Sequence, residues 1–343
     1  MVKMNAIAEM DLFKNLSNPR KLNQFELMIM IAKMYYFENM SQQQIAHKVN
    51  MSRSNISRIL KVCRDMGIVE IRINEVSVRL FEVKKKLKNR FGVKNIIITP
   101  RADDKDANLE NIGIAAAGYL EDILEEGMSV GLGWGSSIYK MVKAYPSKIV
   151  NGLDIVQLMG GTRIKEAHKD GVQLVLDFAK KTGGEPHILN APLLVNNKQL
   201  KELLIEEGGI KEHLGMIKKI DVAIVALGTN TPENSAMVSF ITKEQSKELC
   251  DKGLFSHILG QHIDINGQIG DIDLNERVVG IDLKNFKTIG EKIGIAGGEE
   301  KVKAIVSGLM GGFIDTLITD EKTAFQVENY AAKHGLFNPA VNI

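Results

Sequence analysis

From Asn95 to Lys333 the chain alternates short β-branched runs with amphipathic stretches, and this alternation restricts the body to few architectures. Asn95–Thr99, Met128–Leu132, Asp154–Met159, Pro186–Leu189, Asp221–Leu227, Lys292–Ala296 and Ile314–Thr319 read as strands. Between them Ala107–Glu126, Ile138–Ala144, Gly171–Lys181, Lys198–Glu206, Lys243–Lys252, Glu299–Met310 and Lys322–Lys333 read as helices. In the first of these, Ile112, Ala115, Ala116, Tyr119, Leu120 and Ile123 share one face. Strand–helix–strand repetition implies right-handed crossovers, hence a doubly wound, mostly parallel α/β sheet covered on both faces. Ligands of such sheets bind beyond the carboxyl ends of the strands.

The texture before Val93 is different. Phe25 to Asn39 repeats apolar residues at helical spacing, and Ser41 to Arg64 reads as two short helices joined by a tight turn. Ser41 caps the first, with Ile45 and Val49 inward and Ala46 admitting the second helix closely. Asn50 stands where the turn needs a left-handed residue, which Asn tolerates. Ser52 caps the second helix, whose Ile56, Ile59 and Leu60 turn inward. Arg53, Ser54, Asn55, Ser57, Arg58 and Lys61 then face outward, and with Ser41, Gln42 and Ser52 they form a donor-rich face suited to phosphates and base edges in a major groove. The plainer alternative is a two-helix hairpin with a basic solvated face.

Charge separates the two parts. Residues 1–94 carry 18 Lys and Arg against 8 Asp and Glu, while the remainder carries 26 against 34. A basic head on an acidic body suits a head that meets a phosphate backbone. Cys63 and Cys250 fall in different domains and frame neither a disulfide nor a metal motif, which favours a reducing cytoplasm. No run approaches the roughly 18 apolar residues of a membrane span, and Met1 to Met10 lacks a signal-peptide core.

The expected organisation is a helix-turn-helix (winged-helix-like) domain over 1–75, a linker helix over 76–93 and an effector-binding domain over 94–343. Residues 1–22 read as a loosely held arm, and Ile68–Ile73, after the C-capping Gly67, alternates as a short strand, half of a wing. Val76, Leu80, Val83, Leu87 and Phe91 make a narrow stripe that either pairs with its twin in a dimer or packs on its own domain.

Three glycine-rich loops follow strands. Gly131–Ser137 offers free helix-start N–H groups and two hydroxyls to an anion, although no Gly-Lys-Ser/Thr follows as in a P-loop. Met159–Arg163 is the second. The third, Ala296–Lys301, places Lys301 in a first helical turn, where the dipole disfavours a cation unless an anion is near. Their convergence on one rim predicts a small anionic ligand. His47 and His168 read as surface residues, and no Asp or Cys spacing makes a metal site of His257 or His262.

Ser41-Gln-x-x-Ile-Ala, Met51-Ser-Arg-x-x-Ile-Ser-Arg-Ile-Leu and Gly67-Ile-Val-Glu-Ile-Arg-Ile together resemble the DNA-binding domain of the SorC family of bacterial sugar-responsive transcription regulators, which includes the deoxyribonucleoside regulators. Gly131-Leu-Gly-Trp-Gly, Val156-Gln-Leu-Met-Gly-Gly, Ala191-Pro-Leu, Asp221-Val-Ala-Ile-Val-Ala-Leu-Gly, Ala296-Gly-Gly-x-x-Lys and Leu317-Ile-Thr-Asp-Glu-x-Thr-Ala continue the resemblance in order. It implies an effector domain related in fold to sugar-phosphate isomerases and deaminases, and a phosphorylated sugar as effector. By motif, the effector contacts would be Gly133, Trp134, Gly135, Ser136, Ser137, Gly160, Gly161, Thr162, Gln173, Thr229, Asp264 and Lys301. Where relatives commonly carry an acid for a sugar hydroxyl, this chain has His257, and Asn50 replaces the commoner turn Gly.

The expected function is therefore an operator-binding regulator of a carbohydrate operon. Its expected partners are double-stranded DNA and a phosphosugar, with no cofactor, metal or catalytic residue. One recognition helix covers too few bases for useful specificity, so a homodimer or homotetramer is expected. The alternative is a sugar-phosphate isomerase or deaminase carrying a DNA-binding domain. Against it, the strand end at Leu227–Asn230 lacks a cluster of acids, with Glu233 the only nearby carboxylate.

Overall fold

A computed structural model describes residues 19–71, 75–161, 170–231, 237 and 240–338, and the chain divides into units spanning 1–78 and 79–343.

The first unit is built from α1 (Pro19–Tyr36), α2 (Gln42–Lys48) and α3 (Arg53–Asp65). Ser41 Oγ accepts from the Gln44 backbone N–H, and Gln44 Oε1 accepts from the Ser41 N–H, a reciprocal capping box. Ser52 Oγ accepts from the Asn55 N–H at 3.2 Å. Asn50 has φ 52°, the left-handed turn its side chain tolerates. Ile31, Met34, Ile45, Ala46, Ile56 and Leu60 close into one cluster, so each helix buries one stripe against the other two. Ile68–Ile71 forms no strand, unlike the sequence expectation. Val69 is buried with Ala32 and Cys63, and its N–H donates to the Cys63 carbonyl at the end of α3, leaving no ladder to form. Residues 72–74, and the arm over 1–18, lie outside the described residues.

Helix α4 (Glu75–Phe91) buries Val83, Leu87 and Phe91 in the core of the body. This part of the stripe therefore packs on its own domain, while Val78 and Phe81 remain exposed.

The body alternates β1 (Asn95–Thr99), α5 (Lys105–Ile123), β2 (Ser129–Leu132), α6 (Ser136–Ala144), β3 (Asp154–Gln157), α7 (Gly171–Thr182) and β4 (Glu185–His187). It continues through α8 (Lys198–Glu206), α9 (Gly208–Ile217), β5 (Val222–Thr229), α10 (Lys243–Asp251) and the hairpin β6 (Ser256–Ile258) and β7 (Gln261–Ile263). Two short helices, α11 (Asp273–Glu276) and α12 (Leu283–Phe286), precede β8 (Glu291–Ile295), a 3-10 turn (Glu299–Lys301), α13 (Val302–Met310), β9 (Thr316–Asp320) and α14 (Glu321–Lys333). The strand order is β1-β9-β8-β5-β2-β3-β4, and every neighbouring pair along it is parallel. The hairpin β6–β7 runs antiparallel to the end of β5.

Both faces of the sheet are covered, so its strands read as continuous apolar runs. In β5, Val222 and Ile224 join Ile112, Leu120, Ile138, Met141 and Phe178 on one side. Ala223 and Val225 join Leu87, Ile217, Ile305 and Val327 on the other. Each large side chain buried this way contributes about 1.5–3 kcal/mol of transfer free energy. The winding reverses between β2 and β5: β3 and β4 step outward on one side, β8 and β9 on the other. A crevice opens at such a switch point. Helix α9 has no counterpart in the sequence reading, because it opens on Gly208-Gly209 and buries only His213 and Ile217.

Candidate functional site

A cavity of about 400 Å³ opens at that switch point, over the carboxyl ends of β2, β5 and β8. After β2 the Gly133 N–H donates to the Ile224 carbonyl at 2.9 Å, tying the loop to β5. Gly135 takes φ 133°, outside the range of ordinary residues, and opens α6 without a side-chain cap. Ser137 Oγ donates to the Ile295 carbonyl at 3.2 Å, joining this loop to β8, while Ser136 is exposed. Gly228, near the end of β5, lies under His257: a β-carbon there would fall 2.0 Å from the imidazole.

The third loop is anchored from beneath. Asp320, fully buried, accepts from the Gly298 N–H, Thr323 Oγ1, the Thr323 N–H, Asn108 Nδ2 and Arg101 Nη1. Burial opposes charge on this carboxyl, but the Thr323, Asn108 and Arg101 interactions outweigh it and hold its pKa below the ordinary carboxylate value. The 3-10 turn rests on this anchor and ends at Lys301 on the cavity wall. Burial brings the Lys301 ammonium down to about 8, with Glu300 opposing and Lys105 adding to the effect. Glu300 is itself paired with Lys105 at 2.5 Å, and Lys301 makes no ion pair among the described residues.

Of the residues expected at the ligand, Gly133, Trp134, Gly135, Ser136, Ser137 and Lys301 line this cavity. The others stand elsewhere. Gly160 and Gly161 extend β3: their N–H groups donate to the Val279 and Ala191 carbonyls, and a β-carbon on Gly160 would strike the Pro192 backbone. Met159, one residue earlier, reaches the wall. Gln173 is exposed on α7 and donates to Asp177. Thr229 is buried beyond the wall beside Thr231, and Asp264 Oδ1 closes a turn by accepting from the Asn266 and Gln268 N–H groups. Thr162, Glu233 and His168 lie outside the described residues.

Lys105, Leu109, Gly228, His257 and Leu259 also line the cavity without having been singled out for it. Only His257 carried a signal, as the place where an acid is usual. Burial, His262 and Lys301 together push its pKa well below the ordinary histidine value. Burial brings His262 to about 4; its Nδ1 lies 3.1 Å from Asn230 Oδ1. At the opposite rim, Asp154, Glu185 and His187 bring ligand atoms within 4.8 Å of one another, a contact accounted for by the 2.8 Å hydrogen bond between His187 and Asp154.

On the first unit, Ser41, Ser52, Arg53, Ser54, Ser57, Arg58 and Lys61 are exposed, and Gln42 and Asn55 half-buried. Arg53, Arg58 and Lys61 make no ion pair among the described residues, so these cations are unneutralised along one face of α3. Among the described residues no helix is long and apolar enough to cross a membrane.

The three-helix head and the switch-point cavity define a class: a DNA-binding helix-turn-helix joined to an α/β ligand-binding body. A family model described as "Putative sugar-binding domain" matches residues 77–327, and one for winged helix-turn-helix DNA binding matches 38–70. The chain is 27% identical to the deoxyribonucleoside regulator of Bacillus subtilis (strain 168) over 306 residues, 89% of this chain and 97% of that protein. It is 29% identical to the sorbitol operon regulator of Klebsiella pneumoniae over 306 residues, 87% of this chain and 96% of that one. The crystal structure of the full-length Klebsiella sorbitol operon regulator, SorC, matches with a TM-score of 0.70 at 28% identity, covering 89% of this chain and 99% of that chain. The chain belongs to the SorC/DeoR-type family of bacterial sugar-binding transcriptional regulators.

Proposed function

We propose that this regulator binds operator DNA of a carbohydrate operon through α3, and that a phosphorylated sugar in the switch-point cavity controls that binding. The observation that carries the reading is Lys301, a cation drawn onto the cavity wall with no ion pair among the described residues, on the same wall as the glycine-rich turn Gly133–Ser137. An ammonium held below its ordinary pKa recovers that loss when a phosphate arrives. The names of the relatives, a sorbitol operon regulator and a deoxyribonucleoside regulator, support a carbohydrate-linked effector.

In this reading Gly133, Trp134, Gly135, Ser136 and Ser137 form the phosphate loop with Lys301, and the protein acts in the cytoplasm as a homodimer or homotetramer. The effector acts through its different affinities for two states of the oligomer, with coupling of roughly 1–3 kcal/mol. We read the body as non-enzymatic. Among the described residues of the wall Glu300 is the sole carboxylate, and Lys105 engages it, which leaves no free carboxylate for proton transfer between carbons.

Titrating sugars and their phosphate esters against Trp134 fluorescence and the melting temperature tests the ligand. A matching ester at 100 times its dissociation constant is expected to add about 2.7 kcal/mol to the body's stability, with no effect from the parent sugar and no turnover. Equal responses to sugar and ester would remove the anion from the reading, and steady conversion of the ester would replace the regulator with an enzyme.

Arg58→Ala tests the head. If Arg58 reads a base, operator affinity is expected to fall by about 1–3 kcal/mol with relaxed preference at one position; if it meets phosphate, the salt dependence flattens instead. Unchanged affinity in a gel-shift titration at two salt concentrations would take Arg58 out of the interface.

A further inference from the structure

His257 lies across the backbone of β5. It stands in β6 opposite Gly228, where a β-carbon would fall 2.0 Å from ring atoms Cε1 and Nε2, so a larger residue at Gly228 would displace the ring. Its Nε2 is closed from solvent and has no hydrogen-bond partner among the described residues. Trp134 Nε1, on the same cavity wall, is in the same condition. Buried polar atoms are nearly always paired. Both side chains line one cavity, so a small rotation of either ring on ligand entry would bring its unpaired nitrogen to the surface of that cavity.

We propose that His257 is a contact and specificity residue of this cavity, and that its imidazole takes up a proton when the phosphate of the effector binds beside Lys301. The inference rests on the reading of the cavity as an anion-binding effector site. The charged and titratable groups that face the ring are His262 from β7, with ring centroids 5.7 Å apart, and Lys301 from the 3-10 turn. Both oppose a second positive charge, as does burial. Glu300, on the same wall, is occupied by Lys105 and does not offset them. A bound anion reverses the local field, since an opposite charge at close range favours the charged form. The imidazolium then donates to the anion where a neutral ring had nothing to meet.

The sign follows from linkage. His257 is neutral in the empty cavity around neutral pH and protonated in the filled one, so binding consumes a proton and affinity strengthens as pH falls between the free and bound pKa values. Lys301, at about 8 when the cavity is empty, adds a separate loss of affinity at higher pH.

The test uses the full-length protein with isotope-labelled histidine and inorganic sulfate, whose charge stays constant between about pH 5 and pH 9, unlike a phosphate ester that titrates near pH 6. Saturating sulfate is expected to move the His257 ring resonances from the neutral to the imidazolium pattern at about pH 6.5. Sulfate affinity is expected to fall by up to about tenfold per pH unit across that window. His257→Gln, which also assigns the resonances, should flatten this window and keep the loss near pH 8. If sulfate shifts the Trp134 indole N–H resonance while His257 stays neutral and affinity is flat, the inference falls and the effector-site reading stands. If neither Trp134 nor His257 responds to sulfate, the anion reading falls and the inference falls with it. Because the ring is observed in the unmodified protein, a misfolded variant does not decide the outcome.

Discussion

Asp320→Ala is expected to destabilise the body by about 3–5 kcal/mol, the range for breaking a buried, hydrogen-bonded charge. The carboxylate caps α14 through the Thr323 N–H and holds the Gly298 N–H of the third loop, the Asn108 amide and Arg101. Alanine removes the cap, worth about 1 kcal/mol, and strands buried donors at about 1–3 kcal/mol each. Urea unfolding of the body at neutral pH measures the loss, and a change below 1 kcal/mol would show that water or rearranged side chains replace the carboxylate. The pH dependence gives a second check. The folded pKa is depressed, so the stabilisation is complete above the unfolded value and is lost as pH falls through the folded one. The gap between the native protein and Asp320→Asn should therefore narrow in acid, and a gap that stays constant would mean that the charge is not what stabilises.

Lys301→Met is expected to have opposite effects on stability and response. The gap between about 8 and the ordinary 10.5 sets an upper limit of about 3 kcal/mol on what the protonated lysine costs the empty body at neutral pH. That cost is fully present below the folded pKa and fades as pH rises from there toward the unfolded one. Methionine keeps the apolar stem without the charge, so the variant should melt higher than the native protein at pH 7 and gain much less at pH 10. Loss of a charged hydrogen bond to phosphate costs about 1.5–3 kcal/mol, so the phosphosugar response should weaken about tenfold or more while operator binding is spared. Melting curves at both pH values, with and without the ester, read both effects. A variant that melts lower at pH 7 and still responds would make Lys301 a structural residue.

Where chemistry is local, the sequence already carries it. The caps at Ser41 and Ser52, the left-handed Asn50 and the inward Ile45, Ile56 and Leu60 depend on neighbours within one or two turns, and all appear as read. The alternation of strands and helices likewise needs only period and turn chemistry to imply a parallel sheet. Helix α9 was missed because its two opening glycines and short buried face conceal the period. The described part of Ile68–Ile73 is not a strand because a strand exists only with a partner, and alternation does not supply one.

The cavity wall divides in the same way. Gly133 to Ser137 and Lys301 were legible, since a glycine-rich turn into a helix start announces free N–H groups wherever it occurs. Gly160 and Gly161 share that local texture, yet their N–H groups are spent on Val279 and Ala191, carbonyls supplied from distant parts of the chain. Gly228 and His257 meet only because β6 folds back along β5, across a separation that no local pattern spans. The sequence by itself determined a basic helix-turn-helix, a doubly wound body and which loops could take an anion, because backbone propensity and side-chain period are local. The strand order decided which of those loops share a rim and which side chains line the cavity, because it is set by long-range packing of both sheet faces at once.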